Sequence, residues 1–156
     1  MGERKAATTL PRQGQNNNSL SSLFRFLYYY ADYLFGQIYI FFRYKIRGTT
    51  VLYDRYYFDF IIDARRSNIS LNRSFLRFGY LFISKPKVNF FLYAPEKEIL
   101  SRKQELSESD IRTMTDDYLH LFLNLSGSYK NQEYVTINNT DIKRTIDTVM
   151  KHIIAA

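Results

Sequence analysis

TTVLYDRYYFDFIIDARR, residues 49–66, changes character at its centre. It opens with Val51-Leu52-Tyr53, whose β-branched, apolar and aromatic side chains predict a buried strand, and Gly48 separates that run from the preceding segment. The run stops at Asp54-Arg55. In open α/β sheets ligands bind outside the carboxyl ends of the strands, so such a strand would carry both charges to the rim where chemistry is done. From 57 to 66 the pattern turns helical, and Asp59 and Asp63, four apart, share a face. Two carboxylates at that spacing can hold a metal or serve as acid and base. They can equally form a solvated face paired with Arg65 and Arg66.

Upstream, residues 19–45 form a long apolar segment. Leu20, Leu23, Phe24, Leu27, Tyr30, Ala31, Leu34, Ile38, Phe41 and Phe42 recur at intervals of three and four, which predicts one inward face of a helix of about 25 residues, roughly 37 Å long. Ser19, Ser21 or Ser22 would cap its start. The length would also suit a membrane span, but Arg25 and Asp32 would each cost about 2.5–3.5 kcal/mol near the bilayer centre and Gln37 would add to it. A buried or groove-lining helix is the better reading, and integral membrane insertion is disfavoured. Residues 1–18 carry Gly, Pro, Gln and three consecutive Asn with almost no apolar content, and read as a flexible arm.

Downstream, 67–85 reads as a loop and a short helix, with Leu76, Tyr80 and Ile83 at helical spacing. VNFFLY, 88–93, is a continuous apolar run short enough for a buried strand. Pro95-Glu96-Lys97-Glu98 makes a good first helical turn, with proline leading and acids at the positive end of the dipole. Ser107 with Asp110 resembles a capping box for the next helix, whose stripe is Ile111, Met114, Tyr118, Leu121, Phe122 and Leu125. EYVTI, 133–137, is a further strand, followed by Asn138-Asn139-Thr140 as a turn with a helix cap and a last helix from about Asp141 with Ile142, Ile146, Val149, Met150 and Ile153 inward. His120 and His152 read as ordinary helix residues. The alternation of helices and strands predicts an α/β fold, a mainly parallel sheet covered by helices, as a single domain over 19–156.

The 156 residues suit one domain, and a formal charge of +7 favours an anionic partner. With no cysteine, disulfides, thiolate metal sites and cysteine nucleophiles are excluded. The polar N-terminus has no apolar core of a secretory signal, and the expected location is cytoplasmic. Nucleic acid is a poor candidate partner, because the tyrosines sit in apolar stripes and the basic residues are dispersed.

VLYDRYYFD, then VNFFLYAPEKEILSRKQEL, then YVTIN before a final helix, together resemble the thymidylate kinase family of the P-loop kinase fold, in the family's order over about 19–153. The resemblance implies a phosphotransferase moving the ATP γ-phosphoryl group, with Mg²⁺, to a nucleoside monophosphate or similar small phosphorylated acceptor. It assigns Arg55 to the phosphate oxygens and Asp54 to orienting Arg55 or metal-bound water. Tyr56, Asp59, Asp63, Arg65 and Arg66 would line the acceptor side. A lid over ATP, at about 102–113, would supply Arg102, Lys103 and Arg112. Planar arginine suits this chemistry, which is mostly positioning and charge neutralisation. A homodimer is compatible with the family.

The sequence also departs from the family. No G-x-x-x-x-G-K-[ST] occurs, so the backbone cradle, lysine and Mg²⁺-binding hydroxyl for ATP are missing. In the family that loop comes after the first strand, so the resemblance implies a chain beginning after the first strand and after the second. The expected activity of this chain alone is negligible, and the alternative is a non-catalytic binding or interaction domain derived from a kinase. Asp59 and Asp63-Ala64-Arg65-Arg66 stand where thymidylate kinases carry a small polar residue and Ala-Tyr-Gln, so the acceptor is open.

Overall fold

The computed structural model describes residues 18–102 and 106–155. These fall into two compact units, one ending at Ile83 and the other beginning at Ser84. The predicted arm at 1–18 lies outside the described residues apart from Asn18.

The first unit is helical. Helix α1 spans Ser19–Arg43, α2 Phe58–Ile62 and α3 Arg73–Gly79, with short 3₁₀ turns at Lys45–Arg47, Ala64–Ser67 and Tyr80–Phe82. Helix α1 has the predicted 25 residues, but Asn18 caps it, its side chain accepting the Leu20 N–H at 3.0 Å. Ser22, a predicted cap, is buried instead and accepts the Ser70 N–H at 3.1 Å, tying the loop before α3 to α1.

The inward face of α1 overlaps the predicted one only in part: of that stripe Leu23, Tyr30, Ala31 and Leu34 are half-buried. Ser22 and Phe26 are buried and Tyr30, Tyr33, Gln37 and Ile40 half-buried, whereas Leu20, Phe24, Leu27, Ile38, Phe41 and Phe42 are exposed. Both stripes have helical spacing, and the helix turned toward its own unit the one whose tyrosines and serine find hydrogen-bonding partners there. Tyr30 Oη donates to the Gly79 carbonyl at 2.8 Å.

The expected strand at 51–53 is absent. These residues form no ladder, and Leu52 is 79% exposed. A strand needs a neighbour to pair with, and the sheet found among the described residues lies wholly in the other unit. Burial begins only beyond Tyr56, where Tyr57, Phe58 and Ile61 join Ile69, Leu76, Tyr80 and Ile83 to make the core of the first unit.

Tyr57 sits at its centre, fully buried, with Oη donating to the Leu76 carbonyl at 2.8 Å. Its ring lies 5.9 Å from Tyr30, 6.0 Å from Tyr33, 5.5 Å from Phe60 and 6.0 Å from Tyr80. At Gly79 a side chain would run into the Tyr57 hydroxyl, with Tyr30 Cε2 another 3.3 Å contact.

The second unit is the α/β part: β1 Val88–Tyr93, α4 Glu96–Arg102, α5 Glu108–Ser128, β2 Glu133–Asn138 and α6 Ile142–Ala155. The strands pair in parallel from Val88↔Glu133 to Tyr93↔Asn138, with α4 and α5 as the crossover. Among the described residues, which are mostly helical, the structure therefore holds a small two-stranded parallel sheet in place of the larger one predicted. Helix α5 packs on both strands, with Phe122 meeting Phe91 and Tyr134, and its buried residues are Ile111, Leu121, Phe122 and Leu125. The Phe91 ring stacks on Tyr118 at 4.6 Å. Asn89 is buried within β1, and its amide donates to the carbonyls of Pro86 at 3.3 Å and Glu133 at 3.1 Å, pinning the start of the ladder.

Ser107 caps α5 as predicted, accepting the Asp110 N–H at 3.1 Å. On α6, Asp141 Oδ1 accepts from the Lys143 and Arg144 N–H groups at 2.9 and 3.1 Å, taking the role expected of the Asn-Asn-Thr turn. As on α1, the expected stripe is only partly turned inward: Thr145 is buried and Val149 and Ile153 half-buried, but Ile142, Ile146 and Met150 are exposed. His152 Nδ1 lies 2.7 Å from Glu133 Oε2, joining the end of α6 to the start of β2.

Two measurements test this packing. Gly79→Ala is expected to cost about 1–3 kcal/mol by overpacking, and the cost should shrink when Tyr57→Phe removes the obstructing oxygen; urea denaturation of the four proteins of the cycle measures it. Equal cost in both backgrounds would place the strain elsewhere. Burial also raises the hydroxyls of Tyr33 and Tyr57 well above the ordinary tyrosine range. Below about pH 10 both folded and unfolded chains hold these protons, but above it only the unfolded chain releases them, so stability is full below pH 10 and falls as pH rises. Urea midpoints across that range, paired with tyrosinate absorbance, should show the loss, and Tyr33→Phe should flatten it.

Candidate functional site

The turn carrying Asp54-Arg55 enters α2 from an unpaired segment. Both residues are exposed, and Arg55 has φ 63°, left-handed backbone that costs a non-glycine residue about 1 kcal/mol or more. Its guanidinium Nη1 lies 3.7 Å from Asp59 Oδ2, one helical turn on, with the arginine side chain 55% exposed. The pair is therefore a solvated one, which water screens strongly, and the arginine remains open to an anion.

Behind Arg55 lies a tyrosine cluster. Tyr56 is half-buried and its ring meets Tyr33 at 5.6 Å, Tyr53 at 5.4 Å and Phe58 at 5.5 Å. Gln37 Nε2, from α1, donates to Tyr56 Oη at 3.0 Å and fixes that ring. The buried Tyr33 hydroxyl faces the polar ends of Tyr56 and Gln37. Burial, with Tyr56 beside it, holds the Tyr33 proton in place, and burial also raises Tyr53. The cluster is thus a neutral aromatic wall with oxygen atoms set into it.

Asp59 and Asp63 are separated in role. Asp59 lies in the first turn of α2 facing Arg55, whereas Asp63 is buried at the C-cap, its N–H bonded to the Asp59 carbonyl at 2.8 Å and its own carbonyl accepting from the Arg66 N–H at 3.0 Å. Arg65 and Arg66 lie exposed on the next 3₁₀ turn. Tyr33, Tyr53 and Gln37 carried no functional signal in the sequence. One clue was present, since Gln37 stands in an apolar helix one turn after Tyr33.

The predicted lid residues belong to the second unit. Arg102, at the end of α4, bonds to Glu98 one turn earlier. Arg112 Nε donates to Glu96 Oε1 at 2.9 Å and clamps α5 to the start of α4. That hydrogen bond holds the Glu96 carboxyl below the usual carboxylate range and raises Arg112 further. Both arginines are thus joined to glutamates of α4. Lys103 lies outside the described residues.

The expected cofactors find little that fits them. Among the described residues no three His, Cys, Asp or Glu side chains gather to hold a metal, and the sequence carries no glycine-rich lysine loop to cradle the phosphates of ATP. Nor is any helix among the described residues long and apolar enough to cross a membrane. Compared with known proteins, the chain matches no protein-family model, no curated protein and no solved structure.

Proposed function

We propose that the first unit binds a small phosphorylated acceptor, a nucleoside monophosphate or a similar compound, as the acceptor side of a nucleotide-kinase-like phosphotransferase resembling thymidylate kinases. The observation that carries this reading is Arg55: an exposed guanidinium held on left-handed backbone at the edge of the Tyr33, Tyr53 and Tyr56 cluster. Backbone strain of this kind persists where the surrounding structure over-determines it, and it concentrates at ligand clamps. In the proposed complex Arg55 takes the phosphate oxygens in place of Asp59, because a dianion offers two acceptors to the planar fork. The aromatic wall of Tyr33, Tyr53 and Tyr56 takes the flat base or ring. Asp54 beside Arg55 orients the turn. The setting that goes with such an acceptor is the cytoplasm.

The missing glycine-rich lysine loop favours a second reading for this chain, a kinase-derived domain that binds without catalysing. Turnover separates the two. In a coupled ADP-release assay with ATP, Mg²⁺ and thymidylate or other monophosphates, negligible turnover is expected from this chain, and robust turnover would show that the loop is dispensable.

Binding is tested apart from turnover. Asparagine tolerates left-handed backbone, so Arg55→Asn should leave the urea midpoint nearly unchanged. It should weaken monophosphate binding, measured by calorimetry, by roughly 10- to 100-fold, the worth of a charge-assisted hydrogen bond. Wild-type affinity in this variant, or no binding of any monophosphate by the parent chain, would sink the acceptor assignment.

A further inference from the structure

Helix α3 and the 3₁₀ turn that continues it face the core of the first unit with one side and water with an aromatic side. Leu76, Gly79, Tyr80 and Ile83 are buried. Tyr57 donates to the Leu76 carbonyl and Tyr30 to the Gly79 carbonyl, which fixes the rotation of this segment about its axis. Phe75, Phe78, Leu81 and Phe82 are therefore held outward, with Phe78 57% and Phe82 64% exposed. The Phe78 and Phe82 rings pack edge to face at 5.5 Å and make one apolar ridge.

Arginines accompany the ridge and acids do not. From 64 to 83 the sequence has four arginines, Arg65, Arg66, Arg73 and Arg77, and neither Asp nor Glu. All four are exposed. Arg73 and Arg77 stand one turn apart on α3 and share the side next to the ridge. The imbalance is particular to this part of the chain. Residues 84–156 carry ten basic and ten acidic side chains, so the formal charge of +7 belongs entirely to residues 1–83.

We infer that the α3 ridge docks on the surface of an anionic lipid bilayer, with Phe78, Leu81 and Phe82 at the boundary of headgroups and acyl chains and Arg73 and Arg77 on lipid phosphates. Charge complementarity selects this occupant, because an anionic leaflet attracts basic clusters. The apolar stem of an arginine lies along such a ridge while its guanidinium reaches a phosphate. A nucleic acid would also meet the arginines, but it needs open ring faces for its bases, and Phe78 and Phe82 are turned on each other. The ridge presents roughly 400 Å², about half of one side of a standard protein interface but ample for a surface anchor. The contact is peripheral, since no helix among the described residues is long and apolar enough to cross a membrane.

Co-sedimentation of the full chain with vesicles tests this. The chain should pellet with phosphatidylcholine vesicles holding about 30 mol % phosphatidylserine and bind pure phosphatidylcholine at least about tenfold more weakly, a difference that fades between roughly 0.1 and 0.5 M NaCl. Phe78→Ser with Phe82→Ser changes exposed positions, so circular dichroism and thermal unfolding should match the parent while partitioning falls at least about tenfold. Arg73→Gln with Arg77→Gln should fall about tenfold on the anionic vesicles and leave the weaker binding to phosphatidylcholine unchanged. Neither pair touches the Arg55 turn, so this result stands or falls independently of the monophosphate assignment. A parent chain that stays in solution with the anionic vesicles would overturn the proposal, as would binding indifferent to both pairs. So would tight binding of a poly(U) oligonucleotide that the phenylalanine variant loses, which would make the partner a nucleic acid.

Discussion

The hydrogen bond from Tyr57 to the Leu76 carbonyl is the constraint on which the first unit depends. A phenol can be fully buried only if its hydroxyl is satisfied, and satisfying it draws α2 against α3 with the ring standing on end. Tyr30 then reaches the next accessible carbonyl, that of Gly79, and brings α1 onto the same pair of helices. Glycine at 79 keeps the space into which the Tyr57 hydroxyl projects. Two tyrosines and one glycine thus align three helices.

The candidate site is a by-product of that arrangement. Once Tyr57 faces inward, its neighbours Tyr56 and Arg55 must turn toward the surface. The chain makes the reversal by placing Arg55 in left-handed backbone, and Gln37 holds Tyr56 from the α1 side. Burial keeps the hydroxyls of this wall neutral, so the charge near it comes from the exposed pair of Arg55 and Asp59. A site built from neutral rings and an accessible arginine suits a flat, singly phosphorylated compound better than a polyphosphate, which calls for a cradle of backbone amides.

The second unit rests on different physics. Parallel strands cannot be joined by a tight turn, so β1 and β2 require the crossover through α4 and α5, and the ends of those helices are fastened by Glu96 with Arg112 and by the Ser107 cap. Here Arg112 joins α5 to α4 through Glu96, and Arg102 pairs with Glu98 within α4. This is the commoner use of such residues, and a family resemblance, which assigns roles by position, does not register it.

Local signals were legible where one segment decides its own state. The span of α1, the strands at 88–93 and, to within one residue, 133–137, the Pro95 start of α4 and the Ser107 cap all come from period, propensity and capping chemistry acting within a few residues. The site was half legible: Arg55 and Tyr56 stood out as charge and ring after an apolar run, but Gln37, Tyr33 and Tyr53 join them only through folding. Tertiary structure alone decided that 51–53 is no strand, since pairing depends on a neighbour that no local pattern contains. It alone decided which face of α1 turns inward as well. Two stripes on that helix have the right spacing, and the choice went to the one whose serine and tyrosines could be hydrogen-bonded by residues distant in sequence, as in Tyr30 to Gly79, 49 apart, and Ser22 to Ser70, 48 apart.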